Sequence, residues 1–164
     1  MPAFQGPALI ILAFQAIVSG WDNSPESKTG FLLFLKQHFI PDFVPLEALD
    51  CNFLMASGSF TSGECKKVNT YIVSFPDILQ AVCGAKGMPY NHLRRSLNRF
   101  DLVTCTLEGD PTSKPCIYNQ HSFSASIAVS CDKYGYPVHL EEGDFQIVTE
   151  GESKTSLAWY NYFL

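Results

Sequence analysis

The sequence predicts an α+β domain built on an antiparallel sheet. Helical spacing dominates the first third of the chain and alternating apolar runs dominate the remainder. Six cysteines between Cys51 and Cys131, an even number, read as a disulfide framework. The length of 164 residues suits one domain with a real core and is short for two.

Taken in order, Pro7 to Val18 is an apolar run the length of a signal-peptide core and too short to span a bilayer. Small residues at Val18-Ser19-Gly20 offer a cleavage site, so residues 1–20 are expected to be a signal peptide and the mature, secreted chain to begin at Trp21. No Lys or Arg precedes the run, and a buried N-terminal helix is the alternative reading. No later stretch is long and apolar enough to cross a membrane.

A first helix is expected from the polar Ser24–Ser27 onward, with Phe31, Phe34, Leu35 and His38 on one face. Pro41 and Pro45 mark a stop, and Leu46 to Ala56 reads as a second helix. Gly58 to Gly63 is a Ser/Gly loop. Lys66 to Val73 alternates as a strand: Lys66, Val68, Thr70 and Ile72 share one face, Lys67, Asn69, Tyr71 and Val73 the other. Pro76 opens a short third helix through Cys83, and Gly84 to Arg95 reads as loop. Phe100 to Leu107 and Ile117 to Cys131 read as strands on either side of a Gly109-Asp110-Pro111 turn. A last strand, Pro137 to Glu141, sets Val138 and Leu140 against His139 and Glu141.

Charge narrows the function classes. The formal net charge is −5, a poor starting point for phosphate binding and a strong argument against membrane disruption by a basic surface. The acidity is local: Glu141 to the C-terminus holds five acids and one base, whereas the rest holds eleven acids and ten bases. The body is near neutral, and residues 145–164 form an acidic, aromatic extension with Trp159, Tyr160, Tyr162 and Phe163.

The cysteine gaps of 14, 18, 22, 11 and 15 residues contain no C-x-x-C, so zinc is disfavoured, and six cysteines leave 15 possible pairings. No G-x-S-x-G, phosphate loop or H-E-x-x-H occurs. The remaining chemistry is cofactor-free and metal-free acid–base work by histidines near a cation. Taken singly, His38 reads as a core histidine and Lys66-Lys67 as a solvated pair; His139 stands out because Glu141, two residues on, can fix its ring tautomer.

Together these segments resemble a known family. Cys65-Lys66-Lys67-Val68-Asn69-Thr70-Tyr71 resembles the C-K-x-x-N-T-F signature of the pancreatic ribonuclease superfamily. Gln37-His38 resembles the segment carrying that family's first catalytic histidine, and Pro137-Val138-His139-Leu140 the segment carrying the second. The surroundings of Cys51, Cys83, Cys116 and Cys131 also look like family segments, and the match covers about Phe34 to Leu140. Val103-Thr104-Cys105, Val138-His139-Leu140-Glu141 and the six-cysteine count resemble the angiogenin-like branch.

The resemblance implies a V-shaped antiparallel sheet with three helices over residues 21–144, and the pairing Cys51–Cys105, Cys65–Cys116 and Cys83–Cys131. It also implies a monomeric endoribonuclease that cleaves single-stranded RNA after pyrimidines, yields a 2′,3′-cyclic phosphate and leaves DNA intact. His38 is then the general base, His139 the general acid oriented by Glu141, and Lys66 the cation for the phosphoryl oxygens. Gln37, Asn69, Thr70 and Leu140 make up the expected substrate-binding set, with Thr70 reading the pyrimidine.

Several positions depart from the family pattern. Tyr71 stands for a Phe, Glu141 for an Asp, Leu33 for a common Lys, and Glu142 is placed to crowd the pyrimidine pocket. Weak activity is the expectation. The competing reading is a non-catalytic or weakly catalytic signalling protein on the same scaffold, with a cell-surface receptor or a ribonuclease inhibitor as partner. Arg94-Arg95 falls near the branch's cell-binding segment, while Met55 to Ser59 lacks the basic run associated with nuclear entry.

Overall fold

The computed structural model describes residues 28–147. The expected signal peptide, its cleavage at Gly20, and the aromatic cluster from Trp159 to Phe163 lie outside the described residues.

Helix α1 (Thr29–His38) buries Phe31, Phe34, Leu35 and His38, the face its spacing predicts. Lys28 is at its N-cap with no side-chain cap bond, and the expected start at Ser24–Ser27 lies outside the described residues. A Cβ at Gly30 would lie 2.8 Å from Val138 Cγ1, so the bare glycine lets α1 close on the strand that carries His139. The chain runs straight on into β1 (Phe39–Pro41).

The expected helix from Leu46 to Ala56 is interrupted. A 3-10 turn (Leu46–Ala48) is followed by α2 (Cys51–Ser57), with Leu49 and Asp50 extended between them. Asp50 is the cause: its carboxylate accepts the Phe53 N–H at 2.9 Å, a side-chain N-cap that starts a helix afresh. Next come β2 (Val68–Ser74) and α3 (Pro76–Ala81), the latter with proline in its first turn.

Gly84 to Arg95, expected as loop, instead contains most of a hairpin, β3 (Gly87–Tyr90) and β4 (Leu93–Ser96). The expected single strand from Ile117 to Cys131 is two strands, β6 (Ile117–Ala125) and β7 (Ala128–Cys131). Between them Ser126 exchanges backbone hydrogen bonds with Gln146, and the Ile127 N–H donates to Ser96 Oγ, so the chain leaves one sheet and joins another. With β5 (Phe100–Glu108) and β8 (Pro137–Leu140), the strands form two sheets in the orders β1-β2-β5-β6 and β3-β4-β7-β8. These are the two arms of the V, antiparallel except where β1 pairs with β2.

β2 separates two cores. Ile72 belongs with Phe31, Phe34, Leu102, Ile127 and Leu140, whereas Tyr71 belongs with Ile40, Met55, Val103 and Tyr118. Disulfides join Cys51 to Cys105, Cys65 to Cys116 and Cys83 to Cys131 across separations of 54, 51 and 48 residues. Loops of that length stabilise by about 2–4 kcal/mol each. The folded body continues past Asp144: Phe145 meets Phe123 edge-on at 5.5 Å, and Gln146 bridges to Ser126. No helix among the described residues is long and apolar enough to cross a membrane.

Candidate active site

His38 closes α1 and is only 5% exposed. Its Nδ1 lies 2.8 Å from the Thr70 carbonyl oxygen. A carbonyl can only accept, so Nδ1 carries the proton and Nε2 keeps its lone pair. Burial lowers the His38 pKa from 6.5 to about 4; the Thr70 bond opposes this, and the charges of Lys66 and His139 add to it. The ring is neutral at pH 7, the state a general base needs.

Lys66 is held from several directions. The Cys65–Cys116 disulfide and the bond from Cys65 N–H to Pro111 O (2.7 Å) fix the residue before it. Its own N–H donates to Phe60 O at 3.0 Å, and its carbonyl accepts from the Tyr118 hydroxyl at 2.8 Å. Its Nζ donates to Asn69 Oδ1 at 2.7 Å. Partial burial lowers its pKa, and the negative charge of Glu142 works the other way. Lys66 and His139 both act on His38 through space, so these three expected residues share one electrostatic neighbourhood.

His139 sits on β8 opposite Ser130, with its side chain 64% exposed. Its Nε2 is 3.7 Å from Glu141 Oε2, within ion-pair range and too long for a hydrogen bond. An exposed pair at this distance attracts weakly and leaves the ring free to reach a bound molecule.

The rest of the expected substrate set is partly reassigned. Gln37 is exposed on the last turn of α1. Asn69 is fully buried, donates from Nδ2 to the Gln37 carbonyl at 2.9 Å and accepts from Lys66, so its side chain links Lys66 to the end of α1. Leu140, 1% exposed, packs in the first core, and its side chain is not available to a substrate. Neither outcome shows in the alternation of a strand, which gives a face but not what covers it.

Thr70 is where the expectation changes most. Its N–H donates to Glu142 Oε1 at 2.7 Å and its hydroxyl to Glu142 Oε2 at 2.6 Å. Thr104 Oγ1, across the β2–β5 register, lies 2.8 Å from the same hydroxyl. Glu142 therefore does more than crowd this position: one carboxylate takes both groups with which Thr70 could read a base. Two residues on, Asp144 Oδ1 accepts from Arg95 Nη2 at 2.6 Å, and the Asp144 carbonyl accepts from Nη1 at 2.7 Å. Arg95 is 3% exposed and stacks on Tyr90 with its Cζ 4.2 Å from the ring centroid. The Glu142–Thr70 and Asp144–Arg95 contacts span 72 and 49 residues, and no local sequence signal reports either.

The chain is similar to known proteins over most of its described length. The family model described as "Pancreatic ribonuclease" matches residues 31–141. The chain is 34% identical to "Angiogenin-3" of Mus musculus over 113 residues, covering 68% of this chain and 77% of that protein. It is also 34% identical to "Ribonuclease" of Chelonia mydas over 119 residues, covering 70% and 98%. Among solved structures, zebrafish RNase5 superposes with a TM-score of 0.65 at 33% identity, covering 74% of this chain and 100% of that one.

Proposed function

This chain belongs to the pancreatic ribonuclease family, in its angiogenin-like branch, and on that premise we propose a secreted, weakly active endoribonuclease that cleaves RNA on the 3′ side of pyrimidines. A ribonuclease-type function follows from the family, with RNA as substrate. The weak activity, the pyrimidine preference and the secretion are our reading. For secretion, its support is the apolar run from Pro7 to Val18.

The observation that carries the mechanism is the commitment of His38 Nδ1 to the Thr70 carbonyl. It leaves a neutral ring with Nε2 free to take the proton of the ribose 2′-OH. The 2′-oxygen then attacks the adjacent phosphorus. Lys66 faces the charge that grows on the non-bridging oxygens, where a fixed ammonium counts most in the transition state. His139, protonated, gives its proton to the departing 5′-oxygen, and a 2′,3′-cyclic phosphate remains. The proton gained by His38 and the one lost by His139 balance over the step.

Two features support a low rate. A base with a pKa of about 4 is weakly basic, and proton transfer in the transition state is correspondingly less assisted. In addition, Thr70 must exchange Glu142 for a pyrimidine before it can read one. The same occupied pocket favours the second reading, a binding or signalling protein in which cleavage is incidental.

The test is cleavage of a cytidine–adenosine dinucleotide by refolded 21–164, with His139→Ala as control. Turnover that the control loses by about 100-fold or more supports the enzyme reading, since positioned acids contribute about 10²–10⁴-fold. A well-folded protein with no turnover from pH 4 to 8 moves the assignment to binding.

A further inference from the structure

We propose that Phe60 is a positioning residue for Lys66, its ring face holding the ammonium beside His38; as a role in catalysis this rests on the ribonuclease reading above. The Lys66 Nζ lies 4.5 Å from the Phe60 ring centroid, the geometry in which a cation is attracted by the negative face of an aromatic ring.

The loop around Phe60 is shaped for this contact. A Cβ on Gly58 would lie 2.6 Å from Phe60 Cε2 and 2.7 Å from Cδ2, so any larger residue there displaces the ring. Ser59 adopts φ of +63°, a left-handed turn unusual for a residue with a side chain, and swings the chain so that Phe60 returns toward Lys66. The Lys66 N–H then bonds the Phe60 carbonyl at 3.0 Å, tying the two residues together through the backbone.

The ammonium has a need that the ring meets. Lys66 is half-buried, its ammonium carries three N–H donors, and one of them goes to Asn69 Oδ1. The ring face offers further negative potential without competing for the proton. Asn69 and Phe60 thus touch the Lys66 ammonium, and His38 and Glu142 interact with it electrostatically. Phe60, Asn69 and the Gln37 carbonyl form one continuous brace from the 58–60 loop to the last turn of α1.

Phe60 also packs against the second core, so packing alone is the rival explanation. Leucine separates the two, because it is apolar and of comparable reach but has no ring face. In the full mature chain, Phe60→Leu is expected to lower kcat on the cytidine–adenosine dinucleotide by about three- to tenfold with KM unchanged. Phe60→Trp, the strongest cation–π partner, is expected to restore it. In parallel, NMR of the Lys66 εCH₂ group is expected to show loss of the upfield ring-current shift in Phe60→Leu and an ammonium that deprotonates at lower pH. Kinetics of Phe60→Leu within twofold of wild type, or of Phe60→Trp as impaired as Phe60→Leu, would overturn the proposal. If the wild-type protein cleaves nothing, the NMR still decides: an altered Lys66 signal in Phe60→Leu upholds the brace and sinks only the ribonuclease reading, and an unaltered one sinks both.

Discussion

Replacing Glu142 with alanine is expected to raise activity, an unusual direction for a residue this close to the site. The carboxylate accepts from the Thr70 N–H at 2.7 Å and from its hydroxyl at 2.6 Å, both short, charge-assisted bonds. Bonds to a charged group contribute about 1.5–3 kcal/mol each. Glu142 is only half-buried, however, and regains water when it swings out, so we discount the pair to about 1–2 kcal/mol in total. A site open that small fraction of the time binds pyrimidines about 5- to 30-fold more weakly than an open one. Glu142→Ala should therefore raise kcat/KM for cytidine–adenosine by about tenfold, mainly through KM. Glu142→Gln should gain less, since an amide oxygen still accepts one of the two bonds. The assay is initial-rate cleavage of cytidine–adenosine beside adenosine–adenosine, with circular dichroism to confirm the fold. A folded Glu142→Ala variant no faster than wild type refutes the reasoning, as does an equal gain on both dinucleotides.

The other expectations follow from burial and pairing. Because His38 is lowered to about 4, kcat/KM should hold on the acid side until the pH approaches that value, where an ordinary histidine would already be lost near 6.5; a profile falling through 6.5 would contradict the burial argument. The same group makes stability pH-dependent. The unfolded chain takes up a proton below 6.5 and the folded chain only below about 4, so stability is fully present above 6.5 and declines as the pH falls between those values. At about 1.4 kcal/mol per pH unit the loss is about 3 kcal/mol, measurable by urea unfolding at pH 7 and pH 4; His38→Phe should flatten it. Asp144→Ala leaves the buried Arg95 guanidinium without its carboxylate and should cost about 2–3 kcal/mol, read as a fall in Tm of about 10 °C. If Asp144 anchors the segment that carries Glu142, the same variant should also cleave faster at 20 °C; slower cleavage would separate the two.

How much of this was legible depends on how far apart the partners lie. The buried face of α1 could be read because Phe31, Phe34, Leu35 and His38 recur at helical spacing, a strictly local signal. The break at Leu49–Asp50 was also local, an N-cap aspartate, but an apolar run through Leu46 and Leu49 concealed it. β4 was not legible: Leu93-Arg94-Arg95-Ser96 looks solvated, and the buried arginine there is paired with Asp144, 49 residues away, and stacked on Tyr90. The change of sheet at Ser126 left no mark because alternation continues across it, while its cause is pairing with Gln146. His38, Lys66 and His139 were singled out through motifs, and the fold brings them into one electrostatic neighbourhood. Crowding by Glu142 was readable from the same resemblance, but its two bonds to Thr70 and the Phe60 contact to Lys66 were not, since only folding brings those groups together.

The segment from Pro137 to Gln146 joins the chemistry to its restraint. It carries the proposed acid His139, the carboxylate that covers Thr70, the anchor Asp144 and the bridge to Ser126, all within ten residues. β8 is pinned by pairing with β7, by the burial of Leu140 and by the Glu141 N–H donated to the Ala128 carbonyl, and this places the His139 backbone. The stretch after Leu140 continues the fold through Asp144, Phe145 and Gln146, and within it Glu142 restrains Thr70 by taking its N–H and its hydroxyl. The restraint rests on two hydrogen bonds and one ion pair and can be released without rebuilding the catalytic group. For that reason the Glu142→Ala rate also bears on the choice between an enzyme held in check and a binding protein: a rise means that working machinery lies beneath the plug.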